Sequence, residues 1–298
     1  MIKARFMQLD QDIIRKIKEA GRIGKNALEL AKTLVAPGES LFNVAEKTEK
    51  YIVESGLKPS FPLNLSINNE AAHYTPSYGD QKVFRTGDVV KIDIGASLDG
   101  YCSDNACTLE VGEAGKHSDL IDATSEALKA ALKVVRPNVT ISKIGEKIEE
   151  VILSFGFRPV KNLGGHGIGR YDLHSSIFIP NYDDGNMDTV RPNSLIAIEP
   201  FASTGIGMIR NGQPGNIFML DGPRIDREGI IYREFNTLPF ASRWLNGKVN
   251  NPDRFLREAL GRKEIVSFPV LKEHSGVFIS QAEHTILVLS DDVVVTTL

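Results

Sequence analysis

The stretch VAPGESLFNVAEKTEKYIVESGLKP, residues 35–59, lies without a gap on VRPNVTISKIGEKIEEVILSFGFRP, residues 135–159. Pro37/Pro137, Glu46/Glu146, Lys47/Lys147, Glu49/Glu149, Ile52/Ile152, Gly56/Gly156 and Pro59/Pro159 coincide. In each copy the apolar spacing predicts a helix of roughly twenty residues, about 9–35 and about 117–135, that ends in a proline turn. Ser40 or Thr140 stands where the next helix needs an N-cap, and Gly56 or Gly156 where it needs a C-cap. Further along, Asp88-Val-Val-Lys-Ile-Asp93 resembles Ser194-Leu-Ile-Ala-Ile-Glu199, each an apolar run closing on a carboxylate. The chain therefore reads as a duplicated helix-helix-strand unit, approximately 9–110 and 117–207. A period near one hundred suits a two-lobed domain rather than a solenoid, with one site at the pseudo-twofold interface. Residues 208 to 268, approximately, have no counterpart in the first copy and carry helical pattern around Asn251 to Arg262, which predicts an inserted subdomain. The tail, Gly276 to Leu298, is strand-rich.

At 298 residues, with 42% hydrophobic and 24% charged residues, the chain has the balance of a globular protein with a large core. A net charge of −3 argues against a scaffold held on DNA or RNA by charge. No stretch approaches the ~18 uncharged apolar residues of a membrane span. The first thirty residues mix both charges at helical spacing, so neither a signal peptide nor a membrane anchor is expected and a cytoplasmic protein is. Cys102 and Cys107, an odd number apart, would face opposite sides of a strand, which gives a disulfide framework no support.

Asp93 and Asp104 lie on two strand-like runs, and Asp99-Gly100 supplies turn chemistry between them. A hairpin centred between Leu98 and Asp99 would set the two aspartates directly opposite one another. Opposed Cβ atoms are about 4.5 to 5.5 Å apart, a destabilising separation for like charges unless something positive lies between them. Glu199, in Ala-Ile-Glu-Pro-Phe, and Glu283, in Gln-Ala-Glu-His-Thr-Ile, are charges embedded in apolar runs, costly unless paired or bound to metal. His166 falls in Gly164-Gly-His-Gly-Ile-Gly169, expected as a glycine-dense loop permitting close approach to a ligand; it lacks the spacing of a dinucleotide fingerprint. Asp, Asp, His, Glu and Glu form an oxygen-rich set with one nitrogen, suited to two hard or borderline divalent ions. Four carboxylates balance two such ions, and the pair could share a hydroxide and polarise a carbonyl, which points to amide or ester hydrolysis.

As an ordered set, Ser66-Ile-Asn-Asn-Glu-Ala-Ala-His73-Tyr-Thr-Pro, Lys91-Ile-Asp93-Ile-Gly, Ser103-Asp104, Gly165-His166-Gly-Ile-Gly, His174, Ile198-Glu199-Pro and Gln281-Ala-Glu283-His-Thr-Ile resemble the type II methionine aminopeptidases, over essentially the whole chain. The resemblance implies the pita-bread fold, an α/β (α+β) architecture of pseudo-twofold units around a curved antiparallel sheet with a helical insertion, as one catalytic domain over 1–298. It implies that Asp93 binds one metal, that Asp104 and Glu283 bridge both, and that His166 and Glu199 complete the other, Glu199 also shuttling a proton. It implies two divalent ions per chain, Co, Mn, Fe or Zn, and the activity of a metalloprotease that removes the initiator methionine when the second residue is small. His73 and His174 match the family's non-ligand active-site histidines, and Phe61 matches a wall of its methionine pocket. Expected partners are the N-termini of nascent polypeptides, with transient ribosome association, for a monomer acting on no DNA and no membrane. The separation of 84 positions from Glu199 to Glu283 fits the type II insert, and a start directly at the catalytic domain fits an archaeal organisation. Rival readings are a prolidase or aminopeptidase P, normally with a further N-terminal domain, and a non-catalytic ribosome- or RNA-binding relative, expected to have lost ligands. His284 is read as structural, on the strand face opposite Glu283; His117 and His274 have no motif support.

Overall fold

The computed structural model of the chain describes residues 9–112, 115–221 and 225–298. Helix α1 (Gln11–Leu34) is capped by Asp10, whose side chain accepts from Ile13 N at 2.8 Å. It ends as Val35 turns extended, two residues before Pro37. Helix α2 (Leu41–Glu54) is capped by Ser40 and stops at Gly56, whose φ of +82° is one a glycine adopts without penalty. Helices α3 (Ser118–Val134) and α4 (Ile141–Ser154) repeat this arrangement, with Gly156 at φ +83°. One cap differs from expectation: the Thr140 side chain makes no capping bond. None of the helices among the described residues is long and apolar enough to cross a membrane.

Among the described residues every ladder between the named strands is antiparallel, in one five-stranded and five three-stranded sheets. Helices α1 and α2 cover the sheet of Asn64–Ile67, Val89–Ile94 and Asn105–Glu110, burying Ile52, Leu65 and Ile92 in one core. Helices α3 and α4 bury Ile148, Ile196 and Ile286 against the five-stranded sheet in a second. A third cluster, with Ile17, Phe61, Leu195 and Leu287, ties the lobes together. An isolated bridge between Ala106 and Glu283 joins the backbone of the two sheets.

The segment expected to be a helical insert contains α5 (Ile230–Phe235) and α6 (Pro252–Gly261), the latter capped by Asn251. It also contains a three-stranded sheet, Phe240–Ala241, Ile217–Leu220 and Ile265–Phe268, and its own core around Phe240 and Leu256. Residues 222–224 of that segment lie outside the described residues.

Two local expectations are corrected. The hairpin turns about Asp99 and Gly100, with positive φ at both (54° and 85°) and Leu98 paired to Tyr101. This register pairs Asp93 with Ala106, not with Asp104, which lies in a break between Tyr101–Cys102 and Asn105–Glu110. Gly164–Gly169 is a strand rather than a loop, laddered to Asp172–Pro180 on one side and Ser194–Ile198 on the other. Its glycines serve the neighbouring strands: a Cβ on Gly164 would collide with Ile179 O, and one on Gly165 with Ala197 O.

Candidate metal centre

Three of the candidate carboxylates occupy interruptions of strands. Glu199 follows Ser194–Ile198 and precedes Pro200, which has no N–H to continue a ladder. Glu283 stands between Ile279–Gln281 and His284–Val288, its backbone bridged to Ala106. Asp104 stands in the break described above, while Asp93 is on a continuous strand, Val89–Ile94. The breaks matter because an alternating strand sends neighbours to opposite faces, and a kink re-aims a side chain toward the seam between lobes. Across that seam Thr108 Oγ1 donates to Gln281 O (2.7 Å) and accepts from Gln281 N (2.8 Å).

The side chains converge. His166 Nε2 lies 3.5 Å from Asp104 Oδ2 and 3.7 Å from Glu199 Oε1. Ligand atoms of Asp104, His166 and Glu283 all lie within 4.8 Å of one another. The Gln281 amide nitrogen reaches Asp93 Oδ2 at 3.5 Å, Glu199 Oε2 at 3.4 Å and Glu283 Oε2 at 3.4 Å. One neutral amide cannot neutralise three carboxylates, and Asp93 Oδ1, Asp104 Oδ1 and Glu283 Oε1 are buried without a hydrogen-bond partner among the described residues.

Burial pushes the Asp104 carboxyl up to about 7. Burial, and then the facing Asp104, hold Asp93, Glu199 and Glu283 well above the usual carboxylate range. His166 is pushed down to about 4 by burial, so its ring is neutral. Its Nδ1 is 3.2 Å from Gly167 O, and a carbonyl can only accept, so the proton sits on Nδ1. Nε2 therefore turns a lone pair toward carboxylate oxygens. That lone pair can accept a proton from a carboxyl or bind a cation shared with the carboxylates, and the donor set, four carboxylates and one imidazole nitrogen, fits divalent ions of hard or borderline character.

His73 has φ +67°, and its N–H donates to Asn64 Oδ1 at 2.6 Å. Its ring packs edge-on to Phe268 at 5.5 Å, and its Nδ1 is buried without a hydrogen-bond partner among the described residues. Burial, reinforced by His174, lowers its pKa to about 4. The His174 ring lies 4.2 Å from that of His166. Phe61, His73, Asp93, Asp104, His166, His174, Glu199 and Glu283 all border one cavity of about 770 Å³. Much of the rest of its wall is apolar, including Phe201 and Ile177 and, from the insertion, Met219 and Phe268.

The remaining histidines lie elsewhere. His284 Nδ1 meets Thr297 Oγ1 at 2.9 Å, His117 packs on Phe278 at 4.0 Å, and His274 is exposed. Sequence reasoning gave Gln281 no role. Its signal was present: it stands two residues before Glu283, which in extended chain puts both on one face.

A cavity bordered by four carboxyl groups, three of them with a buried oxygen that has no hydrogen-bond partner among the described residues, and by one neutral imidazole is the site of a metal-dependent hydrolase. The model of metallopeptidase family M24 matches residues 15–288, and the chain belongs to that family. It is 40% identical over 296 residues to a methionine aminopeptidase of Archaeoglobus fulgidus, covering 97% of this chain and 100% of the relative. Among solved structures, a methionine aminopeptidase of Thermotoga maritima shares the fold with a TM-score of 0.72 at 24% identity, covering 97% of this chain and 98% of that one. A thermophilic Arx1 shares it with a TM-score of 0.84 at 16% identity, covering 97% and 91%. At those identities the structures speak for the fold alone.

Proposed function

We propose that the chain removes the initiator methionine from nascent polypeptides whose second residue is small, as an aminopeptidase of type II organisation. The observation that carries this is the set of partnerless carboxylate oxygens at the floor of a largely apolar cavity. The family and the curated relatives named methionine aminopeptidase support the same reading. Asp93, Asp104, His166, Glu199 and Glu283 would hold two divalent ions, Co, Mn, Fe or Zn, with Asp104 and Glu283 shared between them. Bound there, such ions supply Lewis acidity toward a carbonyl and acidify water near neutral pH.

The chain's own groups do the rest. Glu199, half-buried with a raised pKa, is suited to take a proton and return it to the leaving nitrogen. His73, neutral and with an unpartnered ring nitrogen, offers a hydrogen bond to the scissile amide. His174 stands beside His166 at the same wall and steadies the developing oxyanion. Phe61, buried beside them, walls the space for an unbranched apolar side chain. The residue after methionine has to stay small to bring its amide down to the carboxylates. We place the protein in the cytoplasm as a monomer, a single catalytic domain of two related halves plus insert, meeting its substrates through transient ribosome contact. A purely ribosome- or RNA-binding role is not favoured, since all five ligand residue types are in place, and a prolidase-like one is not favoured because the curated relatives matched over nearly the whole chain are named methionine aminopeptidase.

The test is a panel of Met-Ala-Ser, Met-Lys-Ser, Leu-Ala-Ser and Ala-Pro-Ser with metal-loaded protein. Methionine release from Met-Ala-Ser alone is the expected outcome; cleavage of Ala-Pro-Ser in preference would replace this reading with the prolidase one.

A further inference from the structure

His73 sits in left-handed backbone, which a side chain bearing Cβ adopts only when its surroundings over-determine it. From the first lobe, Asn64 Oδ1 accepts from His73 N, and Leu65 N donates to Tyr74 O at 2.7 Å. From the insertion come three further holds. Phe268 packs on the ring, Asn216 Nδ2 donates to Thr75 O at 3.1 Å, and Arg243, 168 residues beyond Thr75, reaches the segment directly.

Arg243 is 4% exposed, and its guanidinium is spent at four places. Nη1 donates to Thr75 Oγ1 (2.8 Å) and to Pro76 O (3.0 Å). Nη2 donates to Glu49 on α2, and Nε to Glu46 Oε1 at 3.2 Å. Thr75 Oγ1 in turn donates to Leu63 O at 2.8 Å, while Glu49 accepts from Leu63 N at 2.9 Å and from Trp244 Nε1 at 2.7 Å. Burial raises the Glu49 carboxyl's pKa and Arg243 opposes the shift, so the pair is mutually dependent. A buried ion pair is weak evidence of stability, because an apolar replacement of similar volume is often as good. What an apolar replacement cannot do is grip a hydroxyl and a carbonyl in a fixed planar fork.

We propose that Arg243, delivered by the insertion, is a positioning residue that fixes His73 against the metal centre through Thr75 and Pro76. The inference rests on the role given to His73 above. It assigns the insertion a part in the chemistry of the shared core as well as in walling the cavity: without it, the segment from Leu63 to Pro76 loses its grip on one side.

Two variants test it. Arg243→Met combined with Glu49→Gln leaves no buried charge unpaired, and Thr75→Val removes one of the two acceptors by which Arg243 holds the segment, together with the bond to Leu63 O. Each is measured in the parent and in the His73→Ala background for kcat, KM, metal content and amide exchange at His73 to Thr75. Expected are a loss in kcat of roughly tenfold to a hundredfold, the scale of a misplaced catalytic group. Unchanged metal content, KM within a few-fold of the parent and faster exchange at His73 should accompany it. In the His73→Ala background the same changes should cost almost nothing more. If Arg243→Met/Glu49→Gln does not fold, Thr75→Val decides alone. An equal further loss in the His73→Ala background, or metal lost in step with activity, overturns the proposal by showing that Arg243 serves the fold or the metal site. A parental kcat in His73→Ala itself would instead remove the role given to His73, and the proposal with it.

Discussion

Asp104 and Thr285, 181 residues apart, exchange two hydrogen bonds of 2.7 Å each: Asp104 N donates to Thr285 Oγ1, and Thr285 Oγ1 donates to Asp104 O. Thr285 N in turn donates to Thr297 Oγ1 at 3.0 Å. A single hydroxyl thus closes the seam between the lobes at the break that carries Asp104, and does so where no ladder can. Thr285→Val should strand a buried N–H and a buried C=O, costing about 1–3 kcal/mol. It should lower the melting temperature by several degrees and weaken metal binding roughly 10- to 100-fold, as loss of a ligand's support does. Thermal melts with and without metal check this; an unchanged metal affinity would show that Asp104 is held without Thr285.

Asp104→Ala and Glu283→Ala remove the two carboxylates assigned to both ions. Each should leave at most one tightly held ion per chain, with activity lost and the fold kept. Elemental analysis after dialysis reads this directly, and two retained ions would refute the bridging assignment.

The carboxyl cluster sets a pH dependence whose sign is fixed. Asp104, pushed up to about 7, carries a proton near pH 6 that an unfolded chain, with carboxyl pKa values of about 4, does not, and its three neighbours are displaced in the same direction. The metal-free native state therefore binds more protons than the unfolded state between about pH 4 and 7, and the cluster's contribution to stability falls as pH rises through that window. Metal must displace those protons, so binding should release them and weaken on acidification. Calorimetric heats near pH 6 should differ between buffers of different ionisation enthalpy; equal heats would mean the site is not crowded with protonated carboxyls.

The helical pairs could be read from the sequence because their signals are local: proline turns, Ser40, and glycines at 56 and 156 that the backbone uses at positive φ. The apolar runs ending at Asp93 and Glu199 were legible for the same reason. The hairpin register was not, because a two-residue turn can be placed one residue either way on composition, and only the positive φ of both Asp99 and Gly100 decides it. Gly164–Gly169 reads as a loop since glycine disfavours strands, yet here the crowding of Ile179 and Ala197 demands it. The sheet within the insertion and the grip of Arg243 on Thr75 are long-range pairings, which no periodicity announces.

Specificity should follow from the cavity. Met-Lys-Ser should be cleaved at least about tenfold more slowly than Met-Ala-Ser, the scale on which a pocket rejects excess bulk. Phe61→Ala should raise KM for Met-Ala-Ser with metal content unchanged. Equal rates on the two peptides would make this a general aminopeptidase.

The division between groups that hold metal and groups that handle the amide is tested most directly by kcat for Met-Ala-Ser and metal content, measured together for the parent, His73→Ala and His166→Ala. His73→Ala should keep its metal and near-parental thermal stability while kcat falls by about 10² to 10⁴, the scale of a positioned proton donor. His166→Ala should lose metal and activity together, with excess metal restoring part of the rate. Metal lost from His73→Ala, or full kcat retained by it, would contradict that division.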